Sequence, residues 1–219
     1  MFRNALLAVA FVVAASAGAQ AQDHRVEIAG TAGWTFSDGV SGNPVLVPGV
    51  GTFDRLDPKD AFSWGARIGF MVNEHVEVGG LFNLQSTTLE AGGTNTLEIG
   101  DQKIYNYHGF IAYNFGDPDA KTRPYFLGGA GATQYGGLTT SIGNRDIGGN
   151  TQFSTTWALG VKMYPGKSVG IMLEGRWTPT YIKSDSEGWW CDPYWGCYVV
   201  GDSQYSNQFE FSGGIVFRF

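Results

Sequence analysis

Bulky apolar residues alternate with polar or small residues in eight segments of the chain. A period of two is the side-chain repeat of a β-strand. In the last segment Phe209, Phe211 and Phe217 share one face, whereas Glu210 and Arg218 share the other. The predicted strands are 26–36, 62–72, 76–84, 105–115, 125–135, 153–163, 169–181 and 208–219.

The connections between these strands alternate in length. Short turns follow residues 72, 115 and 163, whereas long polar stretches cover residues 37–61, 87–102, 136–151 and 183–207. Short turns at one rim and long loops at the other are typical of an up-and-down barrel with both termini on the short-turn side. The predicted fold class is therefore all-β, as an eight-stranded antiparallel up-and-down β-barrel.

The distribution of residues over the two faces separates a transmembrane barrel from a soluble one such as a lipocalin. Charged residues share their face with small ones, which suits the narrow lumen of eight strands. The opposite face carries two belts of aromatic residues around an aliphatic band, which favours contact with lipid. The predicted upper belt is Trp34, Trp64, Tyr105, Tyr135, Trp157 and Tyr181. The predicted lower belt is Tyr113, Phe115, Tyr125, Phe217 and Phe219, and the band between them is Ile68, Val78, Ile111, Leu127, Leu159, Leu173 and Ile215.

The N-terminal residues predict export. Arg3 precedes an apolar run over residues 5–15, and Ala19-Gln20-Ala21 fits a signal-peptidase site. The alternative, an uncleaved anchor helix, is disfavoured because the run is short for about 30 Å of hydrocarbon. We expect residues 1–21 to be a signal peptide and 22–219 to be the barrel domain, with no transmembrane helix. The net charge of -6 argues against a nucleic-acid partner.

Charged residues of the polar face are predicted to line the lumen. They comprise four glutamates, four basic residues and one histidine: Glu27, Arg67, Glu77, His108, Lys162, Glu174, Arg176, Glu210 and Arg218. An unpaired charge in a narrow lumen costs several kcal/mol, so these groups should pair. One interpretation is a plug of salt bridges, and the other is a gated, porin-like ion path. His108 is interpreted either as a proton-sensitive gate or as a hydrogen-bonded filler.

The chain resembles the small outer-membrane β-barrel family of Gram-negative bacteria, of the OmpA/OmpX type. The resemblance covers the mature chain and is carried by Arg123-Pro124-Tyr125 before a glycine-rich strand, Leu173-Glu174-Gly175-Arg176, and terminal Phe217-Arg218-Phe219. It implies residence in the cell outer membrane among its lipids. It also implies that Phe217 and Phe219 form the signal read by the outer-membrane barrel assembly machinery.

The fourth long stretch concentrates aromatic residues around the two cysteines of the chain. In an exported protein, Cys191 and Cys197 predict a disulfide that closes a short loop. The aromatic patch consists of Trp189, Trp190, Tyr194, Trp195 and Tyr198. Rigid aromatic side chains suit an external surface for a glycan, lipid headgroup or protein ligand. The alternative is that they pack on neighbouring loops or enter the outer leaflet.

No residue pattern indicates an enzyme or a cofactor. The three histidines are His24, His75 and His108, and no serine lies beside them in a recognisable nucleophile motif. Asp54, Asp57 and Asp60 are acidic neighbours without a glycine-centred Ca²⁺ loop, so a solvated acidic loop is expected there. We expect no catalytic, cofactor-binding or metal-binding residues.

Overall fold

The computed structural model describes residues 26–47, 51–139, 146–166, 168–182, 191–192, 196–197 and 204–219. Eight long strands run through these ranges: β1 (Val26–Ser37), β4 (Ala61–Met71), β5 (Val76–Gly93), β6 (Leu97–Asn114), β7 (Thr122–Tyr135), β10 (Asn150–Met163), β11 (Val169–Ile182) and β14 (Gln204–Arg218). Six short strands lie in the connections: β2 (Val40–Val47), β3 (Gly51–Pro58), β8 (Leu138–Thr139), β9 (Asp146–Ile147), β12 (Cys191–Asp192) and β13 (Gly196–Cys197). No helix among the described residues is long and apolar enough to cross a membrane.

The eight long strands close into one antiparallel barrel. Going round the ring, β1 is followed by β4, β5, β6, β7, β10, β11 and β14, which pairs again with β1. The C-terminal residue takes part in this closure, because Phe219 N donates to Val26 O at 2.9 Å and Val26 N donates to Phe219 O at 3.2 Å. The predicted fold class is confirmed.

Burial is inverted relative to a soluble barrel. Large apolar side chains stand on the outside, with Leu159 66% and Phe211 67% exposed. Charged and polar side chains fill the inside, with Glu77 at 0% and Lys162 at 1% exposure. The hydrophobic effect disfavours such an exterior in water, so the outer surface requires lipid. The predicted faces agree with this burial in seven of the eight strands.

The faces predicted for the fifth barrel strand, β7, were wrong. Tyr125, Leu127 and Tyr135, expected among the lipid-facing residues, are at most 1% exposed, whereas Phe126 is 42% exposed. Thr133, expected on the same outer face, is also buried. The middle of this strand contains only glycine and alanine over residues 128–132. Because small residues occupy both faces of this segment, the sequence pattern does not show which face is inward. A shift of the assignment by one residue then moves every side chain of the strand to the opposite face.

Two connections predicted as long loops are folded. β5 and β6 each extend for 18 residues and continue as a hairpin well beyond the barrel rim, through most of the expected loop 87–102. The first connection forms the β2–β3 hairpin, and β3 pairs with the upper part of β5. The cause is a cluster of apolar residues that these extensions bury. We call this cluster the apolar cap; its buried members are Val40, Phe53, Leu56, Leu89, Ala91, Ile104, Tyr135 and Ile182.

Exposed ion pairs fasten the β2–β3 hairpin to its neighbours. Lys59 Nζ reaches Glu90 at 2.6 Å on β5 and Glu98 at 2.5 Å on β6. Hydrogen bonding to Glu90, and then to Glu98, raises the pKa of Lys59. A basic group whose pKa is raised by folding stabilises the folded state fully at pH values below its ordinary pKa. This stabilisation is lost only as the pH rises through the raised pKa. Lys59 therefore remains positively charged throughout the neutral pH range.

Candidate functional site: the charged lumen

All nine residues predicted for the lumen are buried, and none is more than 9% exposed. Their environment is stratified along the barrel axis, as the inward residues of β11 show. From the short-turn rim upward, this strand presents the apolar Met172, then Glu174 and Arg176, then Thr178 and Thr180, then Ile182. Charges therefore lie towards the short-turn end, neutral polar groups lie above them, and the apolar cap lies at the long-loop end.

An alternating chain of acids and bases crosses the lower lumen, and we call it the ionic chain. Its order is Glu27, Lys162, Glu77, Arg67, Glu174, Arg176 and Glu210. Lys162 Nζ contacts Glu27 and lies 2.7 Å from Glu77. Arg67 lies 2.9 Å from Glu77 and 3.5 Å from Glu174. The ionic chain thereby joins six of the eight barrel strands through the lumen, namely β1, β10, β5, β4, β11 and β14.

The other end of the ionic chain is closed by neutral donors. Arg176 lies 2.7 Å from Glu210 and 3.9 Å from Glu174. Glu210 also accepts hydrogen bonds from Thr35 Oγ1 at 3.2 Å and Asn83 Nδ2 at 2.8 Å. A buried carboxylate is tolerated when its lone pairs are used in this way.

Two tyrosines that the sequence analysis did not assign to the lumen also hold the ionic chain. Tyr125 Oη donates to Glu174 at 2.6 Å, and Tyr164 Oη donates to Glu27 at 2.8 Å. The Arg67 guanidinium lies 4.9 Å from the centre of the Tyr125 ring. Arg123 and Tyr125 are two residues apart in the same strand, so their side chains lie on the same face. Assigning the charged Arg123 to the lumen would therefore have placed Tyr125 there as well.

Arg218 lies apart from the ionic chain, although it is buried on the predicted face. Its guanidinium stacks 3.4 Å from the Tyr164 ring centre and donates to Pro118 O at 3.2 Å. Arg123, which was not predicted, donates in the same manner to Glu74 O at 2.6 Å. Both arginines therefore tie the short turns across the lower mouth of the barrel.

His108 belongs to the neutral layer above the charges. Its Nε2 lies 2.8 Å from Ser154 Oγ, which lies 2.9 Å from Thr133 Oγ1. Thr133 Oγ1 donates its single proton to Asn106 Oδ1 at 2.6 Å, and Asn106 Nδ2 donates to Gln208 at 2.9 Å. The serine–histidine contact was not anticipated from sequence. Ser154 and His108 are only 1% and 4% exposed, and His108 Nδ1 has no hydrogen-bond partner among the described residues.

The remaining candidate residues lie away from the lumen. Within the described ranges, no three His, Cys, Asp or Glu residues are arranged to hold a metal ion. Asp57 pairs with Arg55 at 2.7 Å, and Asp60 accepts from Ser37 N at 3.0 Å. His75 stacks on Tyr113 at a short turn, with ring centres 5.6 Å apart.

In the fourth long stretch, 183–207, the structure describes the two short strands β12 and β13 and the start of β14. β12 and β13 pair antiparallel, with Cys191 opposite Cys197 in the backbone register. Opposed residues in such a pair have Cα atoms about 4.5–5.5 Å apart, which is within the range that a disulfide bridges. The disulfide remains a prediction. The aromatic patch of Trp189, Trp190, Tyr194, Trp195 and Tyr198 lies outside the described residues.

A closed ring of antiparallel strands with an apolar outer face and a polar interior is characteristic of transmembrane β-barrels. The chain matches the family model of the outer membrane protein beta-barrel domain over residues 5–219. It belongs to that family and is an outer-membrane protein of the Gram-negative type.

Solved structures of outer-membrane barrels share the fold. OprG from Pseudomonas aeruginosa superposes with a TM-score of 0.63 at 12% identity, covering 90% of this chain and 97% of OprG. Neisserial surface protein A gives 0.54 at 13% identity, with coverage of 89% and 96%. The outer membrane protein AlkL gives 0.53 at 12% identity, with coverage of 92% and 94%. No curated protein matches the chain.

Proposed function

We propose that this protein is a non-enzymatic outer-membrane barrel whose lumen is plugged, and which serves the envelope through its wall and external loops. The observation that carries the proposal is the ionic chain, in which acids and bases alternate from Glu27 to Glu210. Every carboxylate in the ionic chain contacts at least one basic side chain. A permeating ion would have to separate these pairs, and a buried charge left alone costs several kcal/mol.

Two further layers support closure of the lumen. The neutral layer joins opposite walls, because Gln208 Nε2 donates to Gln85 at 3.0 Å and Asn106 Nδ2 donates to Gln208. Above it, Phe53 and Leu56 of the β2–β3 hairpin are buried in the apolar cap. An apolar layer gives a hydrated ion no compensating ligands.

We infer that the protein is not an enzyme because its serine–histidine pair is inaccessible to a substrate. Ser154 and His108 are in contact, but a nucleophile must reach its substrate, and both side chains are buried deep in the lumen. The rival function is a narrow ion channel, which the density of charge in the lower lumen favours. Both functions use the same residues, so a direct measurement of permeation is needed.

Conductance of the purified barrel in a planar lipid bilayer distinguishes the plug from the channel. We expect no steady open-channel current from wild-type protein. Insertion of folded protein is verified separately, because a folded barrel migrates differently on SDS gels before and after boiling. Protein-free bilayers and boiled protein provide the baselines. Steady unitary currents from the folded, unboiled sample would reject the plug and support the channel.

Two parts of the proposal concern partners. We infer that the outer-membrane barrel assembly machinery recognises the C-terminal strand through Phe217 and Phe219, which are 43% and 65% exposed. We also infer that the aromatic patch, held by a Cys191–Cys197 disulfide, offers a surface to an external glycan or protein. The opposed backbone positions of the two cysteines support that disulfide.

A further inference from the structure

The buried charges of the described residues do not balance. Five basic side chains and four carboxylates are buried. Three of the bases, Lys162, Arg67 and Arg176, share all four carboxylates in the ionic chain. The other two are Arg123 and Arg218, and no carboxylate among the described residues forms an ion pair with either guanidinium. Such an arrangement is unfavourable without an anion, because burying an unpaired charge costs several kcal/mol.

Arg218 holds its guanidinium in a fixed orientation at the lower mouth. The group stacks on Tyr164, with 3.4 Å from Cζ to the ring centre, and Nη1 donates to Pro118 O at 3.2 Å. The main chain is fixed as well, since Arg218 N donates to Ser168 O at 2.8 Å. Tyr164 is itself buried, and its hydroxyl donates to Glu27. A ligand would therefore meet a preorganised cation rather than a mobile side chain.

One edge of the Arg218 guanidinium is available to a ligand. Nε and Nη2 have no hydrogen-bond partner among the described residues. These two N–H groups point in the same direction and form a fork that binds a carboxylate or phosphate through two parallel hydrogen bonds. Nε is buried and Nη2 is not, so a ligand reaches the fork from the Nη2 side. Glu27 is opposite Arg218 in the strand register, but Lys162 and Tyr164 already bind its carboxylate.

Arg123 adds a second positive charge to the same mouth. It is 3% exposed, its Nη2 donates to Glu74 O in the short turn between β4 and β5, and its Nε has no partner among the described residues. Asp117 and Asp119 flank Pro118, but both are exposed, so water and salt screen their repulsion of an anion. The buried arginines act through a medium of lower dielectric constant and therefore dominate the local field.

We propose that the lower mouth of the barrel binds an oxyanion, a carboxylate or phosphate group of a soluble periplasmic molecule, through the free edge of Arg218 with Arg123 as the supporting charge. Short turns of such barrels face the periplasm, so the ligand enters from that side. The guanidinium lies inside the ring of strands, whereas lipid headgroups lie outside it, and this position favours a soluble ligand. One negative charge balances the excess of one base over the carboxylates. The site is independent of whether the lumen above it conducts.

Three substitutions separate this site from general effects of charge. Arg218→Gln removes both the charge and the fork, whereas Arg218→Lys keeps the charge but loses the planar fork. Lys121→Gln is the matched control, because it removes a positive charge from an exposed position on the same rim. Refolding from urea into a non-ionic detergent bypasses the assembly machinery, and the unboiled gel shift confirms that each variant is folded. Arg218→Lys decides the test if Arg218→Gln does not fold.

Broadening of the phosphorus NMR signal of inorganic phosphate, titrated into the folded barrel at constant ionic strength in chloride, measures binding. We expect saturable binding by wild type and by Lys121→Gln with equal affinity. Loss of charge-assisted hydrogen bonds should weaken binding about tenfold in Arg218→Gln and about threefold in Arg218→Lys and Arg123→Gln. Lack of saturable binding by wild type, or equal binding by the folded Arg218 variants, would overturn the proposal. If phosphatidylglycerol vesicles abolish the wild-type binding and phosphatidylcholine vesicles do not, a lipid headgroup replaces the soluble ligand and the proposal also fails.

Discussion

Replacing Lys162 by methionine should lower the free energy of unfolding by about 3–5 kcal/mol, the usual cost of breaking a buried ion pair from one side. Lys162 is 1% exposed and bridges Glu27 and Glu77. Methionine retains most of the side-chain volume but leaves Glu27 without its basic partner. Urea unfolding of the barrel in lipid vesicles, followed by tryptophan fluorescence, measures the change.

Two further variants separate the ion pair from general effects of the substitution. Lys121→Met removes the same charge at an exposed position in a short turn and should leave the unfolding free energy within about 0.5 kcal/mol of wild type. Adding Glu27→Gln to Lys162→Met should recover part of the loss, because it removes one of the stranded carboxylates. A Lys162→Met barrel as stable as Lys121→Met would contradict the role given to the ionic chain.

Deletion of Phe219 should prevent assembly in the outer membrane while export continues. The deletion removes the two main-chain hydrogen bonds to Val26 at the seam that closes the barrel. It also removes an aromatic ring that is 65% exposed at the lower rim. The measurement is the amount of heat-modifiable protein in outer-membrane fractions compared with processed protein in the periplasm. We expect the former to fall to a small fraction of wild type.

Matched aromatic variants show whether position or hydrophobicity matters. Phe219→Tyr keeps the backbone and a ring and should assemble, whereas Phe115→Ala removes a lipid-facing ring, 48% exposed, away from the seam and should also assemble. Normal assembly of the Phe219 deletion would show that the terminal residue is dispensable for closure and for recognition.

The strand pattern could be predicted wherever one face carries charge. Glu77 and Arg67 identify the lumen face of β5 and β4, and the alternation then places every neighbour in those strands. The prediction failed for β7 because its predicted range, 125–135, left out Arg123, and glycine and alanine occupy both faces in its middle. The extensions of β5 and β6 were missed because Leu89, Ala91 and Leu97 are interspersed with glycine and threonine, so their alternation looks like loop sequence.

The ion pairs could not be predicted in the same way. Parity places Lys162 and Glu27 inside, but their contact depends on the stagger between strands around the closed barrel. Arg218 illustrates the limit, because it faces inward as expected yet lies at the lower mouth, where it binds Pro118 O. Periodicity gives the face of a residue, whereas its depth in the barrel comes from the register of the assembled sheet.

The most direct test of the closed lumen is the accessibility of a cysteine placed inside it. Ser154→Cys is introduced after Cys191→Ser and Cys197→Ser, and the folded barrel in detergent micelles is treated with a charged thiol reagent. Ser154 is 1% exposed, so we predict no modification until the barrel is unfolded. Thr122→Cys, at an exposed position on the lower rim, provides the rate for a free thiol. Modification of the folded Ser154→Cys barrel at that rate would contradict a plugged lumen.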